Sequence, residues 1–218
     1  MRRRRQFAGI RRPTGRGFSR RRRAARHPFA DRWNHNTAYY PLVADSVVGH
    51  RVVLDVGCGE GSLVRFLADR GHEVIGIDSD ADMLPADVPG AHFLLADATR
   101  LPFPNDSFDA VISVMVLHHT RAELALVEMR RVLKPGGVLV DLGYARNRSL
   151  LDLAYTVRDV GWNLWQRLGK RRWEPDTVKA PARLGWQETR RLIVGMLPDA
   201  HWQRLPGWRY LATWVRPG

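Results

Sequence analysis

Three aspartates, Asp55, Asp78 and Asp97, each come at the end of a short run rich in Val, Ile, Leu and Phe. Such runs predict buried strands. The carboxyl ends of parallel strands meet at one edge of a sheet, so we expect these three carboxylates to converge there. A carboxylate at that edge, next to a glycine turn, can accept hydrogen bonds from both hydroxyls of a ribose. The spacing therefore predicts a nucleoside-binding site.

The turn after Asp55 contains glycines at alternate positions, Gly57, Gly59 and Gly61, and an amphipathic run begins at Ser62. Glycine permits a sharp turn and a close approach of a ligand to the main chain. Because N–H groups at a helix start favour negative charge, we expect the amides near Gly57 and Gly59 to hold a ligand carboxylate. The dinucleotide fingerprint would need a glycine in place of Ser62. A nicotinamide cofactor and a turn that binds nothing remain alternatives.

Further motifs follow in order along the chain. They read LDVGCGEG from Leu54, VIGIDSD from Val74, LLADATRLPFPNDSFDAVIS from Leu94 and RVLKPGGVL from Arg131. Between about Val52 and Gly143 the sequence resembles the class I S-adenosylmethionine-dependent methyltransferases, most closely the type 11 methyltransferase domain. The resemblance implies an α/β, Rossmann-like fold with a mostly parallel seven-stranded sheet, helices on both faces and a closing antiparallel hairpin.

The resemblance also implies S-adenosyl-L-methionine as cofactor and a set of residues that bind it. Asp55 would lie near the methionine moiety, Asp78 would bind the ribose, and Asp97 with the amide of Ala98 would bind the adenine amine, with Met83 or Leu101 packing on the purine. A carbonyl after the fourth strand would lie near the amino group. The full set of expected cofactor-binding residues is Asp55, Gly57, Cys58, Gly59, Gly61, Asp78, Ser79, Met83, Asp97, Ala98, Val114 and Met115.

Methyl transfer that removes a proton from the acceptor needs a base, and histidine suits this task because its ordinary pKa is near neutral. His119, just past the fourth predicted strand, is the first candidate; His35 and His118 are the others. The alternative is that the His118–His119 pair has no catalytic role. We expect no metal site, because no cluster of Cys, His and acidic residues has the spacing of metal ligands.

The regular elements follow from hydrophobic periodicity and turn residues. Helices are predicted at 62–70 and 121–133, the second with a capping box from Thr120 to Glu123. Proline in the connection after Asp78 predicts only a turn or two of helix there. The predicted strands cover 52–56, 73–78, 92–97, 108–114 and 137–143, and a hairpin covers 200–205 and 208–215.

A helix at 149–168 carries an apolar stripe formed by Leu150, Leu153, Val157, Val160, Leu164 and Leu168. We expect it to pack on the sheet; a lid over the acceptor and a membrane-surface helix are the alternatives. The tryptophans Trp162, Trp165, Trp173 and Trp186 predict an aromatic acceptor pocket for a small, partly apolar molecule.

The formal net charge of the 218 residues is +13, and it is concentrated at one end. Residues 1–26 hold 12 arginines and no acid, which leaves 23 basic and 22 acidic residues in 27–218. We therefore expect a disordered Arg-rich tail at 1–26 and a methyltransferase domain at 27–218. The tail can contact nucleic acid through phosphates, but we favour a solvated extension.

The lone Cys58 excludes an intrachain disulfide, and neither an export signal nor a transmembrane segment is visible, which predicts a cytoplasmic protein. The preferred function is O-, N- or C-methylation of a small-molecule acceptor. Two alternatives stay open, an RNA methyltransferase and a non-catalytic S-adenosylmethionine-binding module. The sequence makes no prediction about the oligomeric state.

Overall fold

The computed structural model describes residues 32–173 and 180–218, without the side chains of residues 32, 33, 151 and 153. The predicted disordered tail at 1–26 lies outside the described residues. Within them, no helix is long and apolar enough to cross a membrane.

The centre of the fold is a seven-stranded sheet with the spatial order β4-β3-β2-β5-β6-β9-β8. Strands β1 and β7 form a separate parallel pair. The strand bounds are β1 Arg32–Trp33, β2 Val52–Val56, β3 Glu73–Asp78, β4 Ala91–Leu95, β5 Phe108–Val114, β6 Leu133–Gly143, β7 Arg171–Arg172, β8 His201–Leu205 and β9 Arg209–Val215.

Strands β4, β3, β2, β5 and β6 pair in parallel, and β9 runs antiparallel between β6 and β8. The predicted Rossmann-like fold, including the closing hairpin, is confirmed. Strand order reverses at β2, because the chain moves outward to β3 and β4 and then returns to β5 on the other side. In such sheets ligands bind at the carboxyl ends of the strands at this reversal.

Helices cover both faces of the sheet. Their bounds are α1 Tyr40–Ser46, α2 Ser62–Ala68, α3 Ala122–Val132, α4 Leu151–Arg167 and α5 Trp186–Met196, with 3-10 turns at Thr37–Tyr39 and Ala81–Met83. Successive strand residues point to opposite faces, so Val53 packs into the cluster containing α1 and α2 residues and Leu54 into that containing α3 and α5 residues. Both side chains are fully buried.

Several element predictions need correction. Strand β4 ends at Leu95, so Asp97 lies in the loop beyond it, and β6 begins at Leu133 directly after α3. The predicted capping box is absent: Arg121, with extended backbone, is the N-cap residue of α3 and makes no side-chain capping bond.

Helix α4 exists, but its apolar stripe does not pack on the sheet. Val157 is 72% exposed, Leu164 62% and Leu168 72%. The buried positions of the helix include the carboxylates of Asp152 and Asp159. Asp152 accepts from Arg204 of β8 at 2.7 Å, so polar contacts fix the orientation of this helix. The hydrophobic periodicity predicted the stripe correctly, but it does not determine which surface packs against the stripe.

Candidate functional site

A cavity of about 690 Å³ opens at the carboxyl ends of the strands, where β2 and β5 lie side by side. It extends from the ends of β3 and β4 to the end of β6 and the start of β9. Among the predicted site residues, it is lined by His35, Asp55, Gly57, Cys58, Gly59, Asp78, Ser79, Met83, Asp97, Ala98, Val114, Met115, His118 and His119.

The glycine turn is held by its own amides. The N–H groups of Gly57 and Cys58 both donate to the carbonyl of Ile77, at 2.7 and 2.8 Å, and Gly59 N–H donates to Asp78 Oδ2 at 2.8 Å. The amides of Gly57, Cys58 and Gly59 therefore already have protein acceptors, and a ligand carboxylate at this turn stays a prediction.

Close packing explains two of the glycines. A Cβ on Gly57, whose φ is +72°, would lie 2.3 Å from Val116 Cγ2. Gly61, with φ +75°, is the N-cap of α2, and a Cβ there would lie 2.5 Å from the ring of Phe93. Gly61 does not line the cavity, so its prediction as a cofactor-binding residue is corrected to a packing and turn role.

Asp78 combines loop support with access to the cavity. Its carboxylate accepts from Gly59 N–H and, through Oδ1, from Asp80 N–H at 3.0 Å. A carboxylate has about four acceptor positions, so two remain for a ligand. The side chain therefore fixes the glycine turn and can also bind a diol.

Asp55 is a buried carboxyl at the floor of the cavity. It is 1% exposed, and Oδ1 has no hydrogen-bond partner within the described residues. Burial, with the neighbouring charge of Asp78, raises the pKa of Asp55 to about 8. A buried acceptor without a donor is costly, and a positively charged group in the cavity would satisfy it.

The third acid, Asp97, lies in the loop after β4. Its Oδ1 accepts from the Thr99 amide at 2.8 Å and from the Thr99 hydroxyl at 2.9 Å, and these bonds lower its pKa. Ala98 and Met83 line the same end of the cavity. Leu101 is different: it is 4% exposed and packs in the core, so the expectation that it contacts a ligand is wrong.

The end of β5 forms the opposite wall. Met115 has a φ of 64°, which is uncommon for a residue other than glycine, and its N–H donates to Leu142 O at 2.7 Å. This conformation turns the chain out of the sheet directly after Val114. Residues other than glycine with a positive φ often lie at functional sites.

The histidine candidates all reach the cavity. The rings of His118 and His119 lie 4.0 Å apart, and the His118 ring also meets that of Tyr144 edge-on at 4.6 Å. Burial, with the nearby charges of His119 and Arg209, lowers the pKa of His118 to about 4. Burial also lowers the pKa of His119, against the charge of Asp78. His35 packs against Trp208 at 5.9 Å.

The sequence did not identify the far end of the cavity. Asn36, Tyr144 and Arg209 line it, whereas the predicted tryptophans do not. Trp186 is buried in the core, and Trp162 stacks on Tyr39 at 5.3 Å. One available signal was the position of Arg209 at the start of a strand that pairs with β6.

Comparisons with known proteins agree with this geometry. A family described as "Methyltransferase domain" matches residues 54–141. An uncharacterized methyltransferase of Mycobacterium tuberculosis is 33% identical over 195 residues, which cover 85% of this chain and 98% of that protein. The chain belongs to the class I S-adenosylmethionine-dependent methyltransferases.

One further relative of this methyltransferase and one solved structure of similar fold have names that state an acceptor. The 2-methyl-6-phytyl-1,4-hydroquinone methyltransferase of Synechocystis is 32% identical over 180 residues, covering 75% of this chain and 54% of that protein. A Burkholderia thailandensis 1,6-didemethyltoxoflavin-N1-methyltransferase, solved with S-adenosylhomocysteine, has a TM-score of 0.56 at 18% identity, over 82% of this chain and 77% of that one.

S-adenosylmethionine is the cofactor of this methyltransferase, and when bound it supplies a methyl group on a positively charged sulfur. The residues present fit such a molecule. Asp55 Oδ1 is a buried acceptor without a donor among the described residues, and Asp78 and Asp97 line the cavity with acceptor positions left over.

Proposed function

We propose that this methyltransferase transfers the methyl group to an O, N or C atom of a small-molecule acceptor. One observation carries the proposal: a single cavity joins the aspartates at the carboxyl ends of β2 and β3 and in the loop after β4 to the end of β6 and the start of β9. Its volume of about 690 Å³ is within the range of small-molecule sites. A donor at the aspartates would leave the far end for the acceptor.

On the donor side, each acid has its own role in the proposal. Asp55 accepts from the amino group of the donor, Asp78 accepts from the ribose hydroxyls, and Asp97 with the Ala98 amide binds the adenine amine. Met83 packs on the purine. Carbonyls at Val114 and Met115 complete the site for the amino group.

On the acceptor side, the residues of this chain position the nucleophile and exclude water. Positioning alone can lower a barrier by roughly 7–11 kcal/mol. Where the acceptor must lose a proton, His119 is the proposed base and His35 the second candidate, and a base contributes about 10²–10⁴-fold. The lowered pKa of His119 keeps its imidazole neutral at pH 7, which is the form that accepts a proton.

The alternative of a nucleic-acid substrate has less support from the cavity. Nucleic-acid sites are rich in Lys and Arg for contacts to phosphates. Among the described residues that line this cavity, Arg209 is the only Lys or Arg, and five acids accompany it. The acceptors named for the hydroquinone and toxoflavin methyltransferases are small molecules, which supports the same preference.

The proposal is tested with S-adenosylmethionine labelled on the methyl group and three separate pools: a small-metabolite extract, total RNA and duplex DNA. We expect label in the metabolite pool, reduced transfer in Asp78→Ala when the donor is limiting, and normal transfer in Asp69→Ala, which changes an exposed acid outside the cavity. Label in RNA would favour the nucleic-acid alternative. Donor binding without transfer to any pool would favour a non-catalytic module.

A further inference from the structure

Arg209 is a cation at the end of the cavity opposite the donor aspartates. It begins β9, and the pairing of Gly143 with Tyr210 places it at the carboxyl edge of the sheet, close to Tyr144. Its guanidinium lies 5.7 Å from the centre of the Tyr144 ring. The side chain lines the cavity.

The hydrogen bonds of Arg209 leave part of its guanidinium available. Nε and Nη2 donate to Asn36 Oδ1 at 3.2 and 2.9 Å, and Nη1 donates to Gly207 O at 3.3 Å. A guanidinium has five N–H groups. Two therefore remain, one on each terminal nitrogen, and N–H groups on the two terminal nitrogens are the donors that pair with the two oxygens of a carboxylate.

The charge of Arg209 has no carboxylate partner in the described part of the chain. Its two acceptors, Asn36 Oδ1 and Gly207 O, are a neutral amide and a neutral carbonyl, whereas Arg204 pairs with Asp152 and Arg216 with Asp106. Burial lowers the pKa of Arg209 to about 10, so the group remains charged at pH 7. A partly buried charge without a counterion is unfavourable, and an anionic ligand would stabilise it.

Arg209 is also remote from the donor aspartates. Four strand spacings separate β3, which ends in Asp78, from β9, which corresponds to roughly 19 Å. The His118–His119 pair lies at the end of β5, between them in the sheet order. A ligand held at Arg209 therefore occupies the part of the cavity that the donor assignments leave open.

We propose that Arg209 binds a carboxylate of the acceptor, so that the acceptors of this enzyme are small carboxylic acids. The proposal rests on the proposed function, since it assigns the far end of the cavity to the acceptor. A carboxylate is favoured over a phosphate because the guanidinium of Arg209 is the only cationic side chain among the described lining residues. A single cation matches the charge of a monoanion.

The test measures binding by calorimetry to protein saturated with S-adenosylhomocysteine. The probes are benzoate, 3-phenylpropionate and decanoate, each compared with its primary amide. We expect at least one carboxylate to bind roughly tenfold or more tightly than its amide. Arg209→Gln should remove that preference, Arg209→Lys should keep part of it, and Arg190→Gln, which changes an exposed arginine on α5, should retain it.

Three other outcomes contradict the proposal. One is a panel in which no carboxylate is preferred over its amide by the wild-type protein. Another is a preference that Arg209→Gln leaves unchanged in a folded variant, checked by circular dichroism. The third is a role for Arg209 on the donor: Arg209→Gln would then weaken S-adenosylhomocysteine but not 5′-methylthioadenosine, which lacks the amino-acid carboxylate.

Donor binding separates this inference from the proposed function. If S-adenosylhomocysteine binds and no carboxylate shows the expected preference, only the role of Arg209 is wrong. If neither S-adenosylhomocysteine nor S-adenosylmethionine binds the wild-type protein, the donor assignments fail, and the proposed function fails with them.

Discussion

Asp78→Ala is expected to weaken donor binding by about 1–3 kcal/mol, which is roughly 5- to 150-fold. Two acceptor positions of the carboxylate already serve Gly59 and Asp80, so two remain for the ribose hydroxyls. A hydrogen bond to a charged group contributes about 1.5–3 kcal/mol. Water reaches this partly exposed side chain and replaces some of what is lost, so the two bonds together should contribute less than their sum.

A cycle of ligand and protein changes separates ribose contacts from loop support. Calorimetry compares S-adenosylhomocysteine with its 2′-deoxy and 3′-deoxy analogues on the wild-type protein and on Asp78→Ala. If Asp78 binds the hydroxyls, the analogues bind more weakly than S-adenosylhomocysteine only to the wild-type protein. Asp82→Ala, which removes a nearby exposed charge, should bind all three normally. An equal loss for the analogues on both proteins would refute the ribose assignment.

Three further predictions concern the same cavity. Binding of the cationic donor should release a proton from Asp55, because the pKa of this carboxyl is raised to about 8. The affinity for the donor should therefore rise with pH between about 6 and 8. Calorimetry in buffers of different ionisation enthalpy measures the proton release, and Asp55→Asn should abolish this release. Gly57→Ala should lower the free energy of unfolding, measured in urea, by roughly 1–3 kcal/mol, because φ at this position is +72° and the new Cβ would clash with Val116. Adding Val116→Ala should remove the clash but not the backbone strain. For an acceptor that must lose a proton, His119→Ala should reduce turnover by about 10²–10⁴-fold, while the donor affinity measured by calorimetry should not change. The control His201→Ala, at an exposed position on β8, should behave as wild type. Wild-type turnover in His119→Ala would exclude His119 as the base.

The acids of the site can be predicted from the sequence because the patterns that indicate them are local. An apolar run ending in an acid predicts both the strand and the edge at which the carboxylate lies, which located Asp55 and Asp78 at strand ends and Asp97 just beyond one. The glycine turn was also located correctly. The bonds of the Gly57 and Cys58 amides to Ile77 were not predicted, because whether an N–H group faces a ligand or a neighbouring strand depends on the position of Ile77 in β3.

The far end of the cavity depends on contacts between distant parts of the chain. Arg209 and Asn36 are 173 residues apart, and nothing in either segment alone indicates that they meet. Leu101 likewise has the size and polarity of a residue that packs on a purine. Its burial beside α3, where its amide donates to Glu128 at 2.8 Å, is set by tertiary packing.

Strand β9 lies between β6 and β8, although it follows both in the chain. During synthesis, β6 therefore keeps an unpaired edge until Arg209–Val215 has left the ribosome. The same strand carries Arg209, so the pocket is completed only after β9 has been made. A nascent chain arrested before this point would present an open sheet edge, which is the feature that promotes aggregation.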